Sequence, residues 1–337
     1  MAPYAAEREV PLEGYSKEVT FPKLVAPQAD DHKFRISWFN VFAFGYWHGS
    51  ALYGLYLGIT SASWPTIIYA FIMMELSVLG ITAACHRLYA HKTFKVKLPL
   101  NIIMMILATF SGQYTVYNWV RDHRLHHKCS DTDGDPHNAT RGFFFSHIGW
   151  ILCEKHPEVK RRGVTIDMSD IKDNPVLAFQ KKYAAIWFTM VNYVLPTYFP
   201  MYFWGETLSN AWHLNSFRFV MSLNIICLVN SAAHMWGNRP YDETIRPANN
   251  DLTIVLTLGE GFHNYHHAFP WDYRSAEFGN ETFNFTTTFI HFFKWLGWAY
   301  DFKTVDREMI LKRVARTGNG THASVKEVGG KNDVKAN

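Results

Sequence analysis

The stretch that decides the fold is WPTIIYAFIMMELSVLGITAACHRLYAH, residues 64–91, in which a long apolar run leads directly into two histidines. The run Trp64–Cys85 has about the length that a helix needs to cross a bilayer, roughly 20 residues. His86 and His91 follow it, and a spacing of five residues places them about 140° apart around a regular helix. Both could bind metal only if they served different ions or if the helix were looser there.

Three further apolar runs of similar length complete two pairs in this chain of 337 residues. The pairs are Ile36–Thr60 with Trp64–Cys85, and Tyr183–Trp204 with Phe217–Trp236. Short polar links, Ser61–Ser63 and a second one around Glu206–Asn215, join the members of each pair. The sequence therefore predicts an all-α membrane protein with four transmembrane helices in two hairpins and a cytosolic, histidine-rich helical cap.

Charge predicts the orientation of these helices. Neither link contains Lys or Arg, whereas the segment from His86 to Lys182 is rich in both. Its basic residues include Arg121, Arg124, Lys155, Lys160, Arg161, Arg162, Lys181 and Lys182. Since cytosolic loops carry the excess of positive charge, we expect this segment, the C-terminal region and both termini to face the cytosol. Met1–Asp31 lacks the apolar centre of a signal peptide, so insertion would rely on the first membrane helix.

These patterns divide the chain into six expected regions. They are a cytosolic tail (1–35), a first transmembrane hairpin (36–85), a first cap segment with two histidine clusters (86–182), a second transmembrane hairpin (183–236), a second cap segment with the third cluster (237–317) and a disordered tail (318–337). Leu98–Phe110 is apolar but too short for a full span, which favours an interfacial helix. The four cysteines form no C-x-x-C pair and indicate neither a disulfide framework nor a thiolate metal site.

Eight histidines fall into three clusters, and two clusters repeat the spacing His-x-x-His-His. The clusters are His86 and His91 in HRLYAH, His123, His126 and His127 in HRLHH, and His263, His266 and His267 in HNYHH. On a helix the repeated spacing places all three imidazoles on one side. Eight nitrogen ligands are too many for one metal ion and suit two. Imidazole without thiolate favours iron, copper or zinc, and zinc has no redox chemistry of its own.

A ninth candidate ligand, His234, ends the fourth apolar run. Asn230 lies four residues earlier and therefore on the same helix face, where it could hold a water on the metal. A histidine at the membrane interface is the alternative for His234 alone. Carboxylates that orient metal-bound imidazoles are expected nearby, and Asp122 and Glu260 are best placed for that role by sequence.

For the other polar residues beside the clusters, the sequence predicts no specific role in metal binding. Asp131, Asp133 and Asp135 fit loop caps or surface charges equally well. His137 and His147 lie outside the spaced clusters and are interpreted as structural hydrogen-bonding residues. A two-metal, all-nitrogen site at a membrane surface suits redox activation of dioxygen against a lipid-like substrate.

The chain resembles the membrane-bound fatty acyl-CoA desaturases of the stearoyl-CoA desaturase type, in particular the insect branch that includes moth pheromone-gland enzymes. The motifs that carry the resemblance extend over roughly His48 to Thr321. They are LGITA before HRLYAH, then WVRDHRLHHKCSDTDGDPHN, RGFFFSHIGW, VNSAAH, RPYD and GEGFHNYHHAFPWDYR. The resemblance implies an enzyme of the endoplasmic reticulum membrane in fatty acid biosynthesis, including that of pheromones.

The same resemblance implies the cofactor, the partners and the ligand set. The cofactor would be two iron ions, and the partners fatty acyl-CoA, dioxygen, cytochrome b5 with its reductase, and membrane lipid, with no nucleic acid. The implied iron ligands are His86, His91, His123, His126, His127, His234, His263, His266 and His267, with Asn230 acting through water. All ten residues are present, so the chain carries a complete set.

The resemblance also implies a substrate tunnel. Arg121, Asp122 and Lys155 match positions near its acyl-CoA mouth, Trp119 matches an aromatic there, and Cys227 stands where vertebrate relatives have a tryptophan lining the tunnel. Glu154 precedes Lys155 where those relatives carry two basic residues. Met74 and Val78 lie on the helix face that is expected to set the tunnel's depth.

Two alternatives to desaturation remain at this point. A membrane di-iron hydroxylase shares the first hydrogen abstraction, although the NSAAH segment and the other motifs favour desaturation. A metal-binding or metal-transport membrane protein is the non-enzymatic alternative. Transport calls for polar ligands inside the spans, whereas these histidines lie at or beyond the ends of the apolar runs.

Overall fold

The computed structural model describes residues 30–277 and 283–325. Most of the predicted N-terminal tail and residues 326–337 of the predicted C-terminal tail lie outside the described residues. Within them the protein is almost entirely helical, as the apolar runs predict. The one sheet in this portion of the chain pairs β1 (Lys95–Val96) with β2 (Ala299–Tyr300) in antiparallel orientation.

The first predicted hairpin is present as α1 (Trp38–Thr60) and α2 (Trp64–Leu79). Ser61–Ser63 joins the two helices, and Pro65 lies in the first turn of α2, where its missing N–H costs no hydrogen bond. Both helices pack along α11 (Leu208–Asn230). Many large apolar side chains on the outer faces of α1 and α2 are exposed in the isolated chain, as expected for surfaces that meet lipid.

The second hairpin is less regular. It consists of α9 (Ala184–Phe188), a π-helical segment (Thr189–Val194) and α10 (Leu195–Trp204), which run on into one another, followed by α11. Gly205 ends α10 with φ +70°, and Thr207 caps α11 by accepting a hydrogen bond from the Asn210 amide.

The link between α10 and α11 is shorter than the sequence predicts, because residues 208–215 are helical rather than in a loop. Their polar side chains find partners inside the protein. The Asn210 side chain donates to Glu206, and the Asn215 side chain donates to the carbonyl of Asn192. Polar composition in this stretch therefore reflects internal hydrogen bonding and not a turn.

Among the described residues, two helices are long and apolar enough to cross a membrane, namely Trp64–Ala90 and Leu208–Met235. The first includes α2 and a π-helical segment, Gly80–Ala90, that continues it. α3 (Leu98–Phe110) packs directly on this helix, since a Cβ atom at Gly80 would lie 2.1 Å from the carbonyl oxygen of Leu107. Leu98 and Ile102 on the other face of α3 are exposed.

The remaining described helices lie around α4 (Val116–Cys129), α12 (Ala232–Met235) and α14 (His263–Ala268), and we refer to this part of the protein as the cap. Its other helices are α5 (Phe143–His147), α6 (Pro157–Gly163), α7 (Ser169–Lys172), α8 (Pro175–Lys182), α13 (Asp251–Leu256), α15 (Phe285–Trp295) and α16 (Arg307–Thr317), with 3₁₀ turns at Ala139–Arg141 and Gly149–Ile151. The Thr115 side chain caps α4 by accepting from the Asn118 amide. α4 packs against the π-helical segment Gly80–Ala90, which brings the first two histidine clusters together.

The predicted disordered tail begins as ordered structure. His322 is buried, and its Nε2 lies 2.7 Å from a carboxylate oxygen of Glu277. The hydroxyl of Tyr241 donates to the same oxygen at 2.6 Å. The composition of this segment does not reveal the contact, because it depends on a single histidine and on an acceptor elsewhere in the chain.

Candidate metal centre

Nine histidines gather in two adjoining groups inside the cap. The first group has five members, His86, His91, His123, His127 and His266. The second has four, His126, His234, His263 and His267. Within each group the candidate ligand nitrogens all lie within 4.8 Å of one another.

His86 and His91 belong to the same group because the helix between them is wider than an α-helix. The His91 amide donates to the His86 carbonyl at 3.1 Å, an i to i+5 hydrogen bond. Such a bond makes a π-type turn, in which residue i+5 lies above residue i. The looser helix that the spacing required is therefore present, and both side chains belong to one group.

The repeated His-x-x-His-His spacing distributes ligands between the two groups. On α4, His123 and His127 are four residues apart and point into the first group, whereas His126 points into the second. α14 reverses the pattern, since His263 and His267 enter the second group and His266 enters the first. Each helix thus contributes to both groups and holds them at a fixed separation.

Three carboxylates lie against the outer nitrogens of these imidazoles. Nδ1 of His86 lies 2.6 Å from Glu260, and Nδ1 of His126 lies 2.8 Å from Asp135. Nδ1 of His234 lies 3.0 Å from Asp131. A carboxylate at Nδ1 holds the proton there and leaves Nε2 free to bind metal. Glu260 therefore lies beside a cluster imidazole, as the sequence predicts. Asp131 and Asp135, for which the sequence left several roles open, make the same kind of contact.

Asp122, predicted as an orienting carboxylate, has a different role. Its oxygens accept from the guanidinium of Arg121, at 3.0 and 3.1 Å, and from the ammonium of Lys155. Both cations are half-buried, and both oxygens of the carboxylate are thus bound by cations and not by imidazoles. Asp122 therefore belongs to a charged cluster beside the cavity described below.

The site's electrostatics favour bound cations. Burial alone would raise the pKa of Glu260, but the Arg87 guanidinium and His86 lower it to about 2. The side chain of Arg87 is itself fully buried and donates to Glu260, Thr287 and Asn284. Desolvation, reinforced by the neighbouring imidazoles, holds the pKa of His91, His123 and His266 well below the usual value. These rings are therefore neutral, which is the form that binds metal.

The donor set fits two metal ions. Nε2 atoms face one another at 2.9 Å between His86 and His266, and at 2.9 Å between His234 and His263. The carboxylates keep the protons of His86 and His234 on Nδ1, so the lone pairs of their Nε2 atoms point toward another imidazole nitrogen. A cation shared by each group removes this repulsion and satisfies all the inner nitrogens. Imidazole donors without thiolate fit iron, copper or zinc.

One cavity opens beside the two groups. It measures about 240 Å³, and its walls are mainly apolar and aromatic. Trp119, His123 and Asn230 line the side toward the metal groups, with Cys227 one turn below Asn230 on α11. Trp119 stacks on His123 with a ring separation of 4.9 Å. A chain bound in this cavity would thus pass next to the histidines.

Some of the predicted tunnel residues line this cavity and others do not. Trp119, Asp122 and Cys227 line the cavity. Met74 and Val78 do not; Val78 is fully buried in the core between α2, the π-helical segment and α3, and Met74 packs against the same core. His147, as predicted, is a structural residue that hydrogen-bonds Ser231 and Asn224. His137 also contacts Asp135, but it lines the cavity as well.

Sequence reasoning missed two polar groups of the cavity. The Nε2 amide of Gln113 and the indole Nε1 of Trp150 are buried and have no hydrogen-bond partner in the described portion of the chain. Both residues line the cavity. An unpaired buried donor costs free energy unless a ligand accepts from it. The sequence gives only a weak signal for either residue: Trp150 ends the motif RGFFFSHIGW, and Gln113 is a single polar residue after the apolar run Leu98–Phe110.

Comparison with known proteins identifies one family that is similar to this chain. The fatty acid desaturase family matches residues 61–276. The chain is 58% identical over 324 residues to an acyl-CoA Delta(11) desaturase of Choristoneura rosaceana, covering 96% of each chain. It is 54% identical to a (11Z)-hexadec-11-enoyl-CoA conjugase of Bombyx mori, covering 90% of this chain and 92% of the relative. Identity to stearoyl-CoA desaturase 5 of Bos taurus is 48%, covering 88% of each chain.

The matched region contains α2, α4, α11 and α14, which carry or adjoin all nine histidines, and the relatives match nearly the whole chain. The resemblance noted in the sequence motifs is confirmed, including its insect branch. This chain belongs to the fatty acid desaturase family.

Proposed function

We propose that the protein is an acyl-CoA desaturase that introduces a double bond into a long-chain fatty acyl-CoA. The observation that carries this proposal is the position of two all-imidazole metal groups at one wall of an apolar cavity. An unactivated acyl chain offers no polar handle, so it must be held by shape in a dry site. The names of the relatives support the same substrate class.

The metal groups would hold two iron ions through the nine histidines, with Asn230 holding a water. When bound, the iron supplies the redox chemistry that activates dioxygen and removes two hydrogens from the chain. The balance is one dioxygen, two electrons and two protons consumed, with two water molecules formed beside the new carbon–carbon double bond. We propose cytochrome b5 and its reductase as the source of the electrons.

The protein's own residues bind and orient the substrate. Arg121 and Lys155 do not line the cavity themselves, but both bind Asp122, which does, and their two cations would suit the phosphates of the nucleotide. Trp150 would donate its indole N–H to the thioester carbonyl, the one acceptor near the head of an acyl chain. The apolar walls exclude water from the rest of the chain.

We further propose four membrane spans with both termini cytosolic, in the endoplasmic reticulum. α1 with α2, and the α9–α10 segment with α11, form two hairpins whose connecting links lie at the end away from the histidines. The cap and the metal groups lie at the other end, where basic residues are frequent. Cytosolic electron donors would reach the metal groups from that side.

Expression in a desaturase-deficient yeast tests the proposal. We expect new unsaturated fatty acids, with the double bond located by mass spectrometry of derivatised products, and none from a His266→Ala variant present at the same level in membranes. Hydroxylated acids as the main product, or no product from a chain that contains two irons and receives electrons, would contradict it.

A further inference from the structure

A second cavity lies between the start of α4, α7 and α8. It measures about 400 Å³, and none of its lining residues lines the larger cavity beside the histidines. Its walls combine apolar side chains with three lysines, and they include Tyr117, Ile171, Leu177, Lys172, Lys181 and Lys182. We name it the lysine pocket. It is a separate site from the one that adjoins the metal groups.

The helix that carries two of these lysines has a fixed position in the cap. Gln180 of α8 is fully buried, and its side chain accepts from the Val116 amide and donates to the hydroxyl of Thr109, both at 3.0 Å. The Asn174 side chain caps α8 by accepting from the Val176 amide at 3.0 Å. Because these bonds tie α8 to α3 and α4, the walls of the lysine pocket keep their relative positions.

Positive charge in the lysine pocket is not neutralised by the protein. No described carboxylate lies within ion-pair distance of Lys172, Lys181 or Lys182, and all three side chains are exposed. The Lys181 ammonium instead lies 3.5 Å from the centre of the Tyr117 ring. An ammonium has three N–H donors, and an aromatic face contacts only one side of it. The pocket therefore presents cations that remain available to an anion.

A buried arginine of the helix bundle shows the opposite arrangement. Arg218 is only 1% exposed, and its guanidinium donates to Ser77, to the Phe110 carbonyl and to the side-chain oxygen of Asn192. An ionisable side chain inside a membrane is costly without such partners. The lysines of the pocket have no acceptor of this kind among the described residues, so water or an anion from outside the protein must supply it.

The lysine pocket adjoins the second proposed membrane hairpin. Tyr183 follows Lys182 directly, and its amide donates to the carbonyl of Phe179, while the Trp187 amide donates to the carbonyl of Tyr183. Helical hydrogen bonds thus continue from α8 into α9. Phe179, Tyr183 and Ile186 are 44%, 43% and 70% exposed, and their spacing places them on one helix face. An exposed apolar face therefore runs from the lysines into the proposed span.

We propose that the lysine pocket binds an anionic phospholipid of the cytosolic leaflet. Its phosphate accepts from the lysine ammonium groups, and an acyl chain lies along Phe179, Tyr183 and Ile186. Basic pockets at the cytosolic ends of membrane helices suit such head groups, because that leaflet carries the anionic lipids. This inference rests on the proposed topology, which places α8 at the cytosolic surface of the membrane.

Binding of a soluble lipid to the purified, iron-loaded protein in neutral detergent tests the site. The probe is dioctanoyl phosphatidylinositol, with dioctanoyl phosphatidylcholine and inorganic phosphate as comparisons, and native mass spectrometry measures the affinity. Each lysine beside anionic lipid strengthens binding about fivefold. We therefore expect Lys172→Gln/Lys181→Gln/Lys182→Gln to bind phosphatidylinositol roughly 100-fold more weakly. Ala178→Glu, which adds a carboxylate to the pocket wall, should also weaken binding.

The matched control is Lys128→Gln/Lys160→Gln/Lys303→Gln, which removes three exposed lysines that do not line the pocket. Unchanged binding there, with losses in both pocket variants, supports the lipid site. Equal affinity in the wild type and both pocket variants overturns it, as does inorganic phosphate that displaces the lipid at equal concentration. A raised KM for acyl-CoA or for the electron donor, at unchanged lipid binding, assigns the lysines to that partner and also overturns it.

Failure of the proposed topology gives a different result. In that case α8 is protected from protease in sealed microsomes, while the purified protein still binds phosphatidylinositol through the lysines. Cleavage at α8 in sealed microsomes without lipid binding contradicts the lipid site alone.

Discussion

The Glu260 carboxylate contacts both Nδ1 of His86, at 2.6 Å, and the guanidinium of Arg87, at 2.7 Å. Two consecutive residues of one helix thus share a single buried acid: the first is a proposed metal ligand, and the second is the counter-ion of the acid. Arg87 keeps Glu260 ionised, and Glu260 fixes the orientation of the His86 ring. The charge of the cap interior and the geometry of the first metal group are therefore coupled.

This contact predicts the effect of Glu260→Gln. The amide removes the charge that holds the proton on His86 Nδ1 and leaves Arg87 buried without a carboxylate. We expect metal affinity to fall roughly 10–100-fold, as for other carboxylates that orient metal-bound histidines. Iron retention during dialysis against a graded chelator series measures it. Glu243→Gln, away from the metal groups, is the control and should match the wild type.

His266→Ala should abolish desaturation and reduce the iron content from two ions per chain to at most one. His266 Nε2 lies 2.9 Å from that of His86 and 3.0 Å from that of His127, so it is central to the first group. Elemental analysis of the purified protein gives the count. His291→Ala removes a histidine that contacts Tyr273 instead, and two irons should remain. Full activity in His266→Ala would refute the ligand assignment.

Trp150→Phe tests the donor at the cap end of the cavity. Loss of one hydrogen bond to the thioester carbonyl costs about 1 kcal/mol, equivalent to roughly a fivefold change. Because the carbonyl does not react, we expect KM for acyl-CoA to rise with kcat nearly unchanged. Steady-state rates in microsomes at varied acyl-CoA separate the two constants. A fall in kcat at constant KM would instead place Trp150 in the reaction itself.

The ligands could be predicted from the sequence because histidine spacing and helix periodicity are local properties. The assignment of His86 and His91 to one ion could not, since it depends on a π-helical turn that no residue type enforces. The roles of Asp131 and Asp135 depend on a loop that folds back over His234 and His126. Asp122 was misassigned because Lys155, 33 residues away, determines where its carboxylate points.

The two hairpins also show which features depend on local sequence and which depend on contacts between distant residues. Apolar runs predict α1, α2 and α11, but the predicted second link is too long because Asn210 and Asn215 are polar residues with internal partners. The contacts of Trp47 with Tyr193 and Phe219 could not be predicted, because the three residues come from distant segments. Each of them alone resembles an ordinary interfacial or core aromatic residue.

The ordered C-terminal segment predicts a pH dependence. Burial raises the pKa of Glu277, but hydrogen bonds from His322 and Tyr241 outweigh burial and lower it below the usual 4.5. A lowered pKa in the folded state means that this contact stabilises the protein above pH 4.5 and is lost as the pH falls below that value. We expect Glu277→Gln to lose about 2 kcal/mol at pH 7 and much less at about pH 2, where the carboxyl is protonated in the folded state as well. Thermal unfolding in detergent at both pH values checks this, and an equal loss at both would contradict it.

The proposed topology predicts that none of the four N-x-S/T sequons carries a glycan, since glycosylation requires lumenal exposure. Asn138 and Asn284 are buried, and Asn280 lies outside the described residues, so the exposed Asn319 is the informative one. Endoglycosidase should leave the gel mobility unchanged. Protease added to sealed microsomes should remove a C-terminal tag while a lumenal marker stays intact. A glycan at Asn319 would reverse the orientation.

Arg218 has a consequence for how the protein is made. At the centre of a lone helix, an arginine opposes transfer into the bilayer by about 2.5–3.5 kcal/mol. The partners that satisfy its guanidinium, Ser77, Phe110 and Asn192, all precede it in the chain. During synthesis they emerge from the ribosome first and are in place when α11 leaves the translocon. Under the proposed topology, the order of the sequence thus lets α11 enter a membrane that already contains the binding partners of its arginine.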